Sequence, residues 1–558
     1  MSLKKKGVAL AAASLAMALS LGACAKSETP TTEGSTAAGD TSSSAPVTTA
    51  VGGVVYMNGT EPQNPLIPTS TNEVGGGRIL TNLFAGLVYY DETGVTKMDM
   101  AESITSEDNL TWTVKLKADQ VFSNGDPVDA DAFINTWNWA ADPANAQLNA
   151  SWFAIFEGYQ EVQDGTATTM SGLVKVDDLT FTMTLTAADP NAVLQLGYSA
   201  FYPVPKSGLA DMTAFGQNPI GNGPYKLASD TAWQHDVQIE LVPSETYKGD
   251  RQPHNAGVTY KFYQNTDNAY NDLLAGNLDV LDQIPNAFLE NYESDLGAGA
   301  VNEPGSTFQS FTIPSRLAHF SGEEGTLRRQ ALSYAINRQE ICDTIFAGSR
   351  TPAKEFSSPL MPGWDGNIPG NEVLTYDPEK AKELWAEADA ISPWEGTFKI
   401  AYNADGPHQA WVDAVTNSIK TVLGIDAEGD PYPTFQASRT AITDRTIQTA
   451  FRTGWQADYP SIYNYLYTLY GSEAADGNGS NDGDYKNPEF DAALAAGLTK
   501  SDMADAAVEF NKAQEIILRD LPAIPLWYQN ISAGYGSAVS NVIFGWDTVP
   551  IAYLIEKA

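Results

Sequence analysis

Arg452 and Asp458 place opposite charges six positions apart in the otherwise mostly apolar and aromatic run Phe451-Arg452-Thr453-Gly454-Trp455-Gln456-Ala457-Asp458-Tyr459-Pro460. Side chains alternate along an extended chain, so Arg452, Gly454, Gln456 and Asp458 share one face while Phe451, Thr453, Trp455 and Ala457 share the other. A charged face beside an apolar one suits a polar, zwitterionic ligand held against a wall of protein. The same pattern also fits solvated rim residues of an edge strand, with Asp458 capping the turn that Pro460 opens.

Reaction chemistry has little else to draw on. The chain has no Gly-x-Ser-x-Gly elbow and no His-Glu-x-x-His, and His235, His254, His319 and His408 are scattered without ligand spacing. A secreted hydrolase is therefore the weaker alternative, and neither a catalytic group nor a cofactor is expected. Asp476 to Asp484 has the look of a calcium loop, but its sixth position is Asn481 and its twelfth Asn487, where glycine and glutamate belong. It reads as a solvated surface loop, and no metal is expected. The glycines of Gly221-Asn222-Gly223-Pro224-Tyr225 are too few and wrongly placed to cradle a phosphate; they form a tight turn feeding a strand.

At 558 residues the chain exceeds what one core supports and should hold two or three domains. Its 12 Trp, 25 Tyr and 21 Phe are ample for packed cores. The formal net charge of −37 repels nucleic acid and anionic headgroups, which excludes both as partners.

Residues 1–24 read as an export signal: Lys4, Lys5 and Lys6 precede an apolar stretch, Val8 to Leu21, that is too short for a stable membrane span. The segment ends Leu21-Gly22-Ala23-Cys24, which looks like a bacterial lipobox with Cys24 as the lipidated new N-terminus. Two or three acyl chains there anchor durably where one would be marginal. Residues 25–51, rich in Ser, Thr, Gly, Ala and Pro, form a flexible tether whose length suits a thick, Gram-positive envelope. Cys342 is the only other cysteine, so no internal disulfide is expected, and its helical context reads as buried packing.

The folded part opens with a strand at Val54 to Met57 and a proline-containing extended segment through Glu61, Pro62 and Gln63. Apolar spacing predicts helices over Arg78–Phe84, Asp131–Ala140, Leu327–Ile345, Ala410–Leu423 and Met503–Leu518. Another helix starts at Asp377 as N-cap with Pro378 at the first position. Alternation predicts strands at Leu110–Leu116, Thr180–Leu185 and Phe398–Tyr402. Helices and strands alternate through the second half, so the chain is α/β with a largely parallel sheet there and a strand-richer first half.

Eight segments, in order, then carry a family likeness. They are Asn58 to Gln63, Asn82 to Leu87, Val121 to Gly125, Gly221 to Tyr225, Ala275 to Asp279, Leu327 to Leu332 with Ala335 to Arg338, Tyr376 to Ala381, and Trp455 to Tyr459. On these segments the chain resembles the oligopeptide- and dipeptide-binding family (family 5) of extracytoplasmic solute-binding proteins that serve ABC importers. The resemblance implies a two-lobed periplasmic-binding-protein-like fold, type II, cluster C, with an extra subdomain in the first lobe and a two-stranded hinge. Mapped here, the first lobe is 52–305, its base being 52–76 and 200–305 with a subdomain inserted at about 77–199; the second lobe is 306–524, and 525–558 return to the first.

It also implies that Asp458 pairs with the α-amino group of a short peptide and Arg452 with the carboxylate of a tripeptide. Gly454, Trp455 and Gln456 would run beside the peptide, as would Glu61, Pro62 and Gln63 from the other lobe, with Tyr459 adjoining. The implied partners are peptides and ABC permease subunits, the membrane is reached through lipid alone, and the protein works as a monomer on the extracytoplasmic face of a bacterial cell membrane. The tyrosine-rich Ser461 to Tyr465 equally suits stacking on a sugar, so an oligosaccharide or metal chelate is the alternative ligand on the same fold.

Overall fold

Alternation in Val54-Val55-Tyr56-Met57 buries Val55 and Met57 and leaves Tyr56 outward, so this strand has one face on a core. The computed structural model describes residues 52–558 except 190, 405, 434, 478, 501 and 502. The signal segment with Cys24 and the tether 25–51 lie outside the described residues.

The opening strand, β1 (Val54–Gly59), joins β2 (Tyr225–Leu227), β3 (Gln238–Pro243), β4 (Gly257–Phe262), β5 (Val280–Leu281), β6 (Ala300–Thr312), β7 (Thr397–Asn403), β8 (Asp426–Tyr432), β9 (Ala450–Trp455) and β10 (Ala523–Tyr535) in one sheet. Its order is β8-β7-β9-β6-β10-β5-β1-β4-β3-β2. Both lobes of the fold share this sheet. The parallel pairs are β7 with β8 and β9, and β1 with β4 and β5. Helix Gln409–Leu423 provides the crossover between β7 and β8, as a parallel pair requires.

The expectation of a largely parallel sheet in the second half needs correction, because β6 pairs antiparallel with both β9 and β10. The reason lies in the 13-residue strands β6 and β10, which run in opposite directions side by side in the middle of the sheet. Their ladder breaks between Pro304, opposite Asn530, and Phe308, opposite Tyr528. At the break a side chain on Gly305 would meet the Gln529 carbonyl oxygen at 2.5 Å, so only glycine fits. Such a bulge lets two paired strands bend, which a hinge between lobes requires.

A separate four-stranded antiparallel sheet, Ala101–Thr105, Thr111–Leu116, Thr180–Thr184 and Leu173–Asp177, packs with helix Ala130–Ala141. The helix aromatics Phe133 and Trp137 are fully buried among Phe153, Phe156, Phe181 and Phe201, with Trp137 stacked on Phe156 at 5.4 Å. They are core residues, as the spacing predicts.

The single helix expected over Leu327–Ile345 is in fact two, Gly322–Tyr334 and Arg338–Ile345. Asn337 starts the second by accepting from the Glu340 amide at 3.3 Å. The Arg338 guanidinium, fully sequestered, donates to the carbonyls of Ser333, Leu374 and Pro525, which fastens the break to β10. The helix expected at Arg78–Phe84 begins earlier, at Val74, with Glu73 as cap, and ends at Leu83.

Asp377 caps Pro378–Ile391 through the Lys380 amide at 3.0 Å. Asp377→Ala should lower unfolding stability by about 1 kcal/mol in chemical denaturation. An unchanged denaturation midpoint would show that the cap contributes nothing.

Candidate functional site

β9 pairs with β7 only at Ala450 and Phe451, while its other side pairs with β6 from Phe451 to Trp455. From Arg452 to Trp455 its β7 side has no partner strand among the described residues, and the Gln309 side chain donates to the Thr453 carbonyl. The strand ends at Trp455, so the alternation drawn through Asp458 stops there: Gln456 and Ala457 are irregular and a bend begins at Asp458.

Asn464, buried in the following helix Ile462–Tyr470, fixes this irregular segment. Its side-chain oxygen accepts from Trp455 Nε1 at 2.9 Å and from the Asp458 amide at 3.2 Å, while its Nδ2 donates to Asp458 Oδ2 at 3.1 Å. Among the described residues no lysine, arginine or histidine forms an ion pair with Asp458. Burial pushes its carboxyl above the usual aspartate range, the Asn464 bond opposing only in part. A desolvated carboxylate without counter-charge is a receptor for a cation.

Asp458 and Gln456 line a cavity of about 550 Å³, together with Tyr90, Tyr198, Trp546 and Asp547. Gln456 Nε2 donates to the Asp547 carbonyl at 3.0 Å, and the Tyr90 and Trp546 rings meet edge to face at 5.3 Å. Arg78 and Arg251 also line it, each already committed: Arg78 to Asp282 at 2.5 Å and Arg251 to Asp99 at 2.8 Å. Arg350 lines it too, with its guanidinium over the Phe346 ring at 4.9 Å and no carboxylate partner among the described residues. Burial lowers the Arg350 pKa to about 10.

Arg452, Gly454 and Trp455 line a different, smaller cavity of about 300 Å³. There Arg452 Nε donates to Asn403 Oδ1 at 2.7 Å and its guanidinium lies over Phe435 at 5.4 Å. The neighbouring Arg439 pairs with Asp482 at 2.6 Å, and Arg445 with Asp484 at 2.8 Å. Those two aspartates belong to the loop resembling a calcium site, and arginines hold both. Arg452 and Asp458 thus share a segment but line different cavities.

Glu61, Pro62 and Gln63 line neither cavity. The Glu61 carboxylate accepts from Trp233 Nε1 at 3.1 Å and the Asp236 amide at 3.0 Å and lies 2.8 Å from His235 Nδ1; Pro62 is buried, and the exposed Gln63 donates its amide to Glu73. Tyr459 is buried in the bend, and burial raises its phenol. Asp547, Trp546, Arg350 and Tyr90 escape a sequence reading, since none stands in a charged or patterned stretch; only the adjacency of Trp546 and Asp547 echoes the Trp455 segment.

Two lobes built on one sheet, with a charged and aromatic cavity reached from both, define the class of two-lobed solute-binding proteins. The chain belongs to the bacterial extracellular solute-binding proteins, family 5, whose middle-region model matches residues 96–477. The oligopeptide-binding protein OppA of Haemophilus influenzae is 27% identical over 492 residues, covering 85% of this chain and 87% of its own. OppA of Bacillus subtilis is 26% identical, covering 84% and 86%. Among solved structures, the unliganded open form of the murein tripeptide binding protein MppA superposes with a TM-score of 0.80 at 21% identity, covering 90% of this chain and 97% of that one. Haemophilus influenzae OppA in complex with the peptide RPPGFSPFR gives 0.63 at 24% identity, covering 91% and 99%. Family membership assigns a solute-binding role outside the cytoplasm.

Proposed function

We propose that this protein captures short peptides between its lobes and delivers them to an ABC importer. The observation that carries the reading is Asp458, a partly buried carboxylate bonded to Asn464 with no protein cation within ion-pair distance among the described residues, just past the end of a strand that lacks a partner strand on one side. The ligand ammonium supplies the missing charge, and the strand edge at Gly454 and Trp455 supplies main-chain hydrogen bonds common to every peptide sequence, so affinity needs no side-chain preference. Arg350 in the larger cavity and Arg452 in the smaller are the two candidates for the ligand carboxylate. The peptide-binding relatives at 26–27% identity support the ligand class.

In this reading 52–305 with 525–558 and 306–524 are the lobes that close on the ligand, and closure is selected by contacts made only in the closed state. The protein is a lipid-anchored monomer at the extracytoplasmic face of a Gram-positive membrane, held through Cys24. Cys24→Ser should release it into the medium; a variant retained in the membrane fraction would sink the anchor.

The direct test of the ligand is mass spectrometry of small molecules released on denaturing the purified protein. A ladder of short peptides supports the reading and gives their length. A saccharide or chelate would overturn it and reassign Asp458.

A further inference from the structure

The charge balance of the larger cavity does not close for an ordinary zwitterion. Arg78 and Arg251 are neutralised by Asp282 and Asp99. Glu73 caps a helix through the Gly76 amide, and Asp91 accepts from the amides of Thr93 and Val95 with Lys97 at 3.4 Å. Among the charged residues that line the cavity, four have no opposite charge within ion-pair distance among the described residues, Glu73, Asp458, Asp547 and Arg350, and of these Glu73 is taken up by the backbone amides of Gln63 and Gly76. Asp547 Oδ1 accepts from the Val549 amide at 3.1 Å, whereas no donor among the described residues reaches Oδ2. Burial pushes the Asp547 carboxyl upward, and the Val549 amide and the Arg78 charge oppose it only in part.

A zwitterionic ligand brings one positive and one negative end. These satisfy Asp458 and one arginine, and Asp547 stays uncompensated. The Gln456 bond to the Asp547 carbonyl ties the backbone of this residue to the segment that carries Asp458, two positions further on, and both acids line the one cavity. The Tyr90 and Trp546 rings, which meet edge to face in the lining of the same cavity, add faces attractive to a cation.

We infer that Asp547 is a specificity-determining residue, which selects peptides whose first residue carries a cationic side chain, lysine or arginine, over uncharged ones. The inference rests on the peptide reading and refines it. A long alkyl stem crosses the aromatic pair while its charged head meets Oδ2, which restores the balance that an uncharged side chain leaves open.

The test is isothermal titration calorimetry of the intact protein at low ionic strength with Lys-Ala-Ala and norleucine-Ala-Ala, which share a stem and differ in the terminal ammonium. The lysine peptide should bind about tenfold tighter or more, and in Asp547→Asn the ratio should fall close to one. Equal affinities in the unaltered protein, or a ratio that survives in Asp547→Asn, would overturn the inference while leaving peptide binding intact. Failure of both peptides to bind would take down the peptide reading, and this inference with it.

Discussion

Asp458→Asn should weaken a free-amine tripeptide by about 2–5 kcal/mol, because it leaves the buried ammonium of the ligand without its opposite charge. The substitution keeps the side-chain shape and an oxygen able to accept from Asn464 Nδ2, so the irregular segment that follows β9 stays in place. Calorimetry with a free tripeptide and its N-acetyl form separates charge from shape. The unaltered protein should strongly prefer the free amine, and the variant should lose most of that preference. An affinity that Asp458→Asn leaves unchanged would place the amine site elsewhere.

Acidity should act in the same direction. Burial raises the Asp458 pKa, so as pH falls the carboxylate takes up a proton earlier than an exposed aspartate does, and ammonium binding weakens over that range. The Asp458→Asn variant should lack this limb of the pH dependence.

Glu355→Gln should stabilise the protein at neutral and alkaline pH by about 3 kcal/mol. Glu355 is fully buried, accepts from Ser357 Oγ at 3.0 Å and from the Gly366 amide at 3.4 Å, and forms no ion pair among the described residues. Its burial, with Asp365 adding to it, pushes the carboxyl up to about 7. The folded protein therefore holds a proton that the unfolded chain releases near the ordinary glutamate value of about 4.3. Stability from this group is complete below that value, falls as pH rises, and is lost once pH passes about 7.

Glutamine is permanently neutral, so the variant and the parent should be equally stable at low pH and diverge upward. Urea denaturation at about pH 5 and about pH 8 reads the difference. A parent that gains stability relative to the variant over that interval would show that the carboxyl is charged and well accommodated in the core. The site adjoins the crossing strands: Tyr528 of β10 receives the Lys354 and Glu355 amides on its hydroxyl, and Ser358 donates to the carbonyl of Gly305 at the bulge.

The buried arginines illustrate how a sequence motif acquires its meaning. Leu327-Arg328-Arg329 with Ala335 to Arg338 marks the family in sequence, yet only the fold shows the guanidiniums at work on backbone carbonyls. Arg329 donates to Phe320 and Asp520, and Arg338 to Ser333, Leu374 and Pro525, between elements far apart in the chain. The same reach explains why one expected helix became two: Arg338 takes up carbonyls that a continuous helix would have bonded internally.

What the sequence determined by itself was local or carried by likeness. Caps such as Asp377, the alternation of Thr111–Leu116 and the aromatic face of helix Ala130–Ala141 depend on residues within a turn or two, so they are legible without neighbours. The two-lobed architecture followed from eight ordered segments. Tertiary structure alone decided which charges meet. Gln456 and Asp547, 91 positions apart, touch because β9 and the chain beyond β10 come to one cavity, whereas Arg452 and Asp458, six apart, line separate cavities because the strand ends between them. Glu61, free to serve a ligand on sequence alone, is occupied by Trp233 and the Asp236 amide. A charge is a candidate for binding only when the fold leaves it without a partner, and partners are chosen by sheet order and packing over distances no local pattern spans.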